Sequence, residues 1–170
     1  GAGGKSLILA DIMQNKGRIL SLDKNQNKLK QASLRFKRAG VHNVETRLVD
    51  MNWDTKGLEK KFDLVLIDAP CSGIGTLSRN PDSRWSLSKE KIKSLTLLQE
   101  KLLDSIVPLL KKDGTLVYST CTICPDENNL LIEKFIEKNK ALKLISEKQI
   151  LPSLDYPGDG FYSAIISYKS

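Results

Sequence analysis

The sequence predicts a doubly wound α/β sheet with helices on both faces, and three observations carry that reading. Strand-like and helix-like segments alternate along all 170 residues with no internal repeat. Phe62 to Ile67 is an apolar run with one acid in second place, and it ends in Asp68 before Ala69-Pro70-Cys71-Ser72-Gly73. That pattern predicts a strand buried on both faces of a parallel sheet, stopped by Pro70, with Gly73 and Gly75 permitting a tight loop. Gly114 to Thr120 is another strand, and it delivers Cys121 to the same kind of position. Ligands in open α/β sheets sit just beyond the carboxyl ends of the strands. Asp68, Cys71 and Cys121 are therefore candidates for chemistry, and the two thiols face one crevice if their strands are neighbours.

Composition sets outer bounds. At 170 residues, 40% hydrophobic and 28% charged, the chain reads as one ordinary globular domain with a substantial core. No apolar run approaches ~18 residues, so no membrane span is expected. Three cysteines without a secretory signal argue for a reducing, cytoplasmic setting rather than a disulfide scaffold. The net charge of +7 favours an anionic partner, nucleic acid first, against the plainer reading that it serves solubility alone.

Taken in order, Gly1-Ala2-Gly3-Gly4-Lys5-Ser6 opens a short apolar helix, Leu7 to Met13, that ends before Gly17. A glycine loop at a helix start suits an anion or a cofactor, because the first-turn N–H groups are free and the dipole is positive there. Gly4-Lys5-Ser6 fits the end of a P-loop, and the whole loop fits the cofactor loop of a Rossmann-like methyltransferase. Arg18 to Leu22 then forms a strand ending in Asp23, an acid placed either to bind ribose hydroxyls or to cap the helix Asn25 to Ala39. Gly40 stops that basic-faced helix. His42 follows in a loop with no cysteine or acid at ligand spacing, and no metal site is expected. Val44 to Val49 is a third strand, leading to Asp50, which is either an adenine contact or a loop acid.

Beyond the first cysteine, Leu77 to Trp85 has no apolar periodicity. Its Arg79, Arg84 and Trp85 suit phosphate contact and base stacking, or else Trp85 covers core. Leu95, Leu98, Leu102, Ile106 and Leu109 recur at helical steps and predict one long helix over Leu87 to Leu110, capped by Ser86 or Ser88. Pro125-Asp126-Glu127 reads as a helix start, with proline at the first position and acids in the first turn, running to about Asn139. Ala141 to Ile145 and Phe161 to Tyr168 complete the strands. Cys121-x-x-Cys124 lacks the further ligands of a zinc site, and Cys124 reads as a small buried residue.

D-A-P-C-S-G at Asp68 to Gly73 and Y-S-T-C-T at Tyr118 to Thr122 together resemble the RsmB/Sun-like family of RNA (cytosine-5)-methyltransferases. G-A-G-G-K-S at Gly1, R-N-P-D-S-R-W at Arg79 to Trp85 and D-G-F-Y-S-A at Asp159 to Ala164 match further family segments in family order. The resemblance implies a Rossmann-like class I methyltransferase fold, S-adenosylmethionine as cofactor, and rRNA or tRNA as substrate. It implies that Cys121 is the nucleophile, that Cys71 assists product release, and that Asp68 holds or protonates the pyrimidine edge. Gly1, Ala2, Gly3, Gly4 and Lys5, with Asp23, Asp50 and Asp68, would hold the cofactor, and Arg79, Arg84 and Trp85 would meet RNA. A thiolate is needed because carbon 5 of cytosine is a poor nucleophile until sulfur adds to carbon 6. A free thiol of pKa ~8.5 is only about 3% ionised at pH 7, so the site should favour the anion.

The family's first strand, with its own acid, would precede the glycine loop, and the family's RNA-binding region would lie further upstream. The 170 residues alone are therefore expected to fold poorly or to bind cofactor weakly. Two rivals remain: a P-loop NTPase, with Gly4-Lys5-Ser6 on phosphate and Asp68 ending a Walker B-like strand, and a non-catalytic remnant of the methyltransferase fold that only binds RNA.

Overall fold

The structure, a computed structural model, describes residues 2–50, 55, 57–153, 155 and 158–169. Gly1, assigned above to the cofactor loop, lies outside them. The chain divides into two compact units, Gly1–Asp54 and Thr55–Ser170.

In the first unit, helix α1 (Gly4–Ile12) leads to strand β1 (Ile19–Asp23), helix α2 (Gln26–Arg38) and strand β2 (Val44–Leu48). β1 and β2 pair in parallel, with Asp23 level with Leu48. Leu29, Ala32 and Phe36 recur at helical spacing on α2 and are buried with Ala10 and Val49. The N-cap of α2 is Asn25, whose Oδ1 accepts from the Asn27 and Lys28 amides at 3.0 and 3.1 Å. Asp23 is not the cap; its carboxylate instead accepts from the Asn25 amide at 2.8 Å.

The second unit holds strand β3 (Phe62–Asp68), helix α3 (Lys89–Ile106), strand β4 (Leu110–Thr120), helix α4 (Asn129–Lys138) and strands β5 (Leu142–Ile150) and β6 (Phe161–Tyr168). The sheet order is β3-β4-β6-β5, with β3 and β4 parallel and β6 antiparallel to both of its neighbours. It is a mixed sheet flanked by helices. Leu116, Tyr118 and Thr120 on β4 lie opposite Ile166, Ala164 and Tyr162 on β6, and all six are buried, as period-2 alternation on one face requires. Leu102, Leu103 and Ile106 of α3 and Leu131, Ile132 and Phe135 of α4 are buried as well.

Three expectations are corrected. β3 is not buried on both faces: Ile67 is buried but Leu64 is 49% exposed. The strand is bonded to β4 on one side, and among the described residues no second strand pairs with it. The long helix is shorter than its apolar spacing suggests. It starts after Ser88, whose Oγ caps the Lys91 amide at 3.1 Å, and Pro108 converts its end into a 3-10 turn at Val107–Leu109. β5 runs on to Ile150 because Ser146 to Gln149 lie on the sheet edge, where burial imposes no apolar alternation. Among the described residues no helix is long and apolar enough to cross a membrane.

Candidate active site

Parallel pairing of β3 with β4 puts Asp68 level with Ser119, and the Ala69 amide continues the ladder to the Ser119 carbonyl at 2.9 Å. Both cysteines thus emerge from the same end of neighbouring strands, and Cys71 Sγ lies 3.4 Å from Cys121 Sγ. Both thiols are half-buried, and no disulfide joins them. Asp68 is exposed at the strand end beside this pair.

The loop that carries Cys71 turns at Gly73, which has a φ of 70°, and enters a 3-10 turn at Ile74–Thr76. Gly75 then passes between two backbones. Its amide donates to the Cys121 carbonyl at 3.1 Å, and its carbonyl accepts from the Gly160 amide at 2.8 Å. A Cβ there would lie 2.8 Å from the Cys121 oxygen and against the Gly160 carbonyl, so no side chain fits. Gly75 therefore locks the loops of both cysteines to the Asp159-Gly160 corner. Gly75→Ala is expected to cost about 1–3 kcal/mol, as overpacking does, read as a lower denaturant midpoint. An unchanged midpoint would contradict the close approach.

The two sulfurs do not share protons equally. The hydrogen bond with Cys121, and then burial, push the Cys71 thiol far above the ordinary thiol range, and the charge of Cys121 adds to this. Arg79 donates from Nε to Asp159 Oδ1 at 2.9 Å, with a second contact to Oδ2. The hydrogen bond to Asp159, and then its charge, raise the Arg79 pKa, and Cys121 contributes in the same direction. Cys71 is thus held in its protonated form beside Cys121. At neutral pH iodoacetamide is expected to label Cys121 ahead of Cys71, with Cys71 gaining reactivity only as pH rises past the usual thiol range. Peptide mass spectrometry reads the order, and equal labelling at pH 7 would contradict it.

Arg79 is thereby tied to the Asp159 segment rather than standing apart as a lone cation. Trp85, in a 3-10 turn at Pro81–Ser86, is 80% exposed, which excludes the reading that it covers core. The Arg84 guanidinium sits 5.1 Å from its ring centroid, a cation–π pair presented to solvent. Cys124 is half-buried, its amide donating to Thr122 Oγ1 at 3.2 Å, and burial raises its thiol pKa.

Among the remaining candidates, Ala2, Gly3, Gly4, Lys5, Asp23 and Asp50 all belong to the first unit. Gly3 caps α1 with a φ of 85° and offers no side-chain cap, and a Cβ there would meet Phe36 and Ala32 at 2.8 and 2.9 Å. Only glycine fits at this close approach and left-handed turn. The Arg35 guanidinium holds the Ala2 carbonyl at 2.9 Å, and Lys5 is exposed on the first turn. Asp23 ends β1, and Asp50 lies two residues past β2 at the same end of the parallel pair.

A family model described as 16S rRNA methyltransferase RsmB/F matches residues 1–165. The chain belongs to the RsmB/F family. It is 36% identical to Ribosomal RNA small subunit methyltransferase B of Photorhabdus laumondii, an alignment covering 98% of this chain and 40% of that protein. The RsmB/F chain thus spans about 40% of the length of such relatives. Among solved structures, NSun6 from Pyrococcus horikoshii with SFG is similar at a TM-score of 0.82 and 26% identity, over 99% of this chain and 46% of that one. A methyltransferase homolog protein from Pyrococcus horikoshii has a TM-score of 0.83 at 29% identity, over 98% and 58%. Membership in RsmB/F gives the P-loop rival no support.

Sequence reasoning missed the buried polar residues beneath the thiols. Gln99, Glu127, Asn128 and Thr122 are all fully buried. Glu127 was legible only as an acid in a helix's first turn; that it faces inward follows from tertiary packing.

Proposed function

We propose that residues 1–170 act as one catalytic domain that methylates carbon 5 of a cytosine in RNA, rRNA or tRNA, within a reducing cytoplasm. The observation that carries this reading is the Cys71–Cys121 contact of 3.4 Å at the carboxyl ends of two parallel strands, in a chain of the RsmB/F family. S-adenosylmethionine, when bound, supplies the methyl group in electrophilic form. The helix start of α1 behind Gly3 fits its charged end, and Asp23 and Asp50 fit its hydroxyl and amino groups. Gly1 and Asp68 are assigned to the same cofactor by resemblance alone.

The Cys121 sulfur bonds to carbon 6 and pushes an electron pair through the ring, making carbon 5 nucleophilic. Asp68 holds or protonates the pyrimidine edge that receives the charge. After methylation a base, water at the open strand end, takes the carbon 5 proton, and the electron pair it leaves re-forms the ring double bond as the Cys121–carbon 6 bond breaks. Cys71, in contact with the departing sulfur, assists that release. Arg79, Arg84 and the exposed Trp85 supply phosphate and stacking contacts to the RNA. The test is methyl transfer by the full-length protein from isotopically labelled S-adenosylmethionine into small-subunit rRNA and tRNA. Label recovered as 5-methylcytosine is expected. Label absent from both RNAs, or found in another nucleoside, would overturn the proposal.

A further inference from the structure

Each of the two cysteines is flanked by residues that are held from below, by Glu127 with Gln99 on one side and by Asn128 on the other. On the Cys71 side, the Ser72 amide donates to Glu127 Oε1 at 2.9 Å, and the Ser72 hydroxyl donates to Glu127 Oε2. Gln99 Nε2 bridges Glu127 Oε1 at 3.0 Å and the Pro70 carbonyl at 2.8 Å. Pro70 and Ser72 are the neighbours of Cys71 on either side. On the Cys121 side, Thr120 Oγ1 donates to Asn128 Oδ1 at 2.7 Å, and Asn128 Nδ2 donates to the Thr122 carbonyl at 2.9 Å. Thr120 and Thr122 are the neighbours of Cys121. A contact of 2.8 Å between the Ser72 and Thr122 hydroxyls joins the two loops.

We propose that Glu127 and Asn128 are positioning residues that set the spacing of the two sulfurs, one residue gripping each cysteine loop. The proposal rests on the two-thiol reading of the site. Both residues are fully buried, and among the described residues no lysine or arginine pairs with the Glu127 carboxylate. A carboxylate so placed depends on its three donors, two of which belong to Ser72. The backbone leaves helical geometry at Asn128, with φ −118° and ψ −114°, which separates the Pro125–Glu127 turn from α4. The Tyr118 hydroxyl holds the Glu127 carbonyl at 2.9 Å, and Asn128 Nδ2 also reaches Gln149 Oε1 at 2.9 Å, so the segment is anchored to β4 and β5. A plain structural role would not need one contact on each residue flanking each thiol.

The test reads sulfur spacing without RNA. Diamide takes one hydrogen from each of two adjacent thiols, becoming a hydrazine as the sulfurs bond, so its closure rate for Cys71 and Cys121 reports their approach. In the full-length protein, folded Glu127→Ala and Asn128→Asp variants are expected to close about tenfold more slowly or worse. Their kcat for methyl transfer should fall by up to about a hundredfold at unchanged KM for RNA. Glu127→Gln should lose less, because an amide oxygen still accepts the Ser72 amide and the amide nitrogen can donate to its hydroxyl. Asn128→Asp faces an oxygen toward the Thr122 carbonyl, hence its severity. Closure and kcat within about twofold of wild type in a folded Glu127→Ala or Asn128→Asp protein would overturn the proposal. If those variants do not fold, Ser72→Ala and Thr120→Val, which remove one hydroxyl each, carry the test; wild-type rates in both overturn it. Should Cys121→Ala leave methyl transfer intact, the functional reading falls while closure still judges the clasp.

Discussion

Replacing Cys121 by alanine is expected to lower methyl transfer by more than about a thousandfold, the scale on which loss of a covalent nucleophile acts. RNA affinity should remain close to wild type, because the exposed Trp85 and Arg84 lie on a turn that does not depend on the thiol. On the proposed mechanism the effect is this large because the Cys121 sulfur would supply the electron pair that makes carbon 5 reactive. Cys71 is adjacent at 3.4 Å, but its hydrogen bond to Cys121 and its burial hold it in the protonated form. A filter-binding assay beside a methyl-incorporation assay separates the two outcomes. Retained turnover with Cys121 absent would remove it from the chemistry; joint loss of binding and turnover would make it a structural residue.

Cys71→Ala should give the opposite kind of defect. Attack and methylation proceed, but release of the Cys121–carbon 6 bond is slow, so a protein–RNA adduct accumulates and survives a denaturing gel. The adduct should build up to a large fraction of the enzyme while steady-state turnover falls. Substituting both cysteines should abolish the adduct. If Cys71→Ala turns over normally with no slow-migrating species, the division of labour between the thiols fails even though their contact stands.

Much of this arrangement was legible in the sequence, and the parts that were not share a cause. β6 could be read because burial on one face writes itself as alternation, α3 because its apolar residues recur at helical steps, and α4 from the proline and acids before it, although those form a separate 3-10 turn and the helix begins at Asn129. Asp68, Cys71 and Cys121 could be placed at strand ends because Pro70 and the glycines stop the first strand so abruptly. What could not be read was whatever depends on partners distant in the chain. β3 has the composition of a central strand, yet Leu64 is exposed, because whether a strand's face is covered depends on elements distant in the chain. Glu127 obeys the rule for a helix's first turn, and only the position of Ser72, 55 residues earlier, turns its carboxylate inward. Gly75 looked like loop freedom but is required by the close approach of Cys121 and Gly160. Arg79 suggested phosphate, and its pairing with Asp159 shows that it also joins two of the segments that the motif text had matched separately.

The most direct measurement of the central claim is to trap the enzyme on RNA carrying 5-fluorocytidine at the target position, where fluorine takes the place of the proton that must leave. Digestion and mass spectrometry then identify the residue bearing the nucleotide. The adduct is expected on Cys121, trapped only when S-adenosylmethionine is present and carrying the transferred methyl group at carbon 5, with Cys71 unmodified. An adduct on Cys71, or on neither cysteine while methyl transfer continues, would contradict the account.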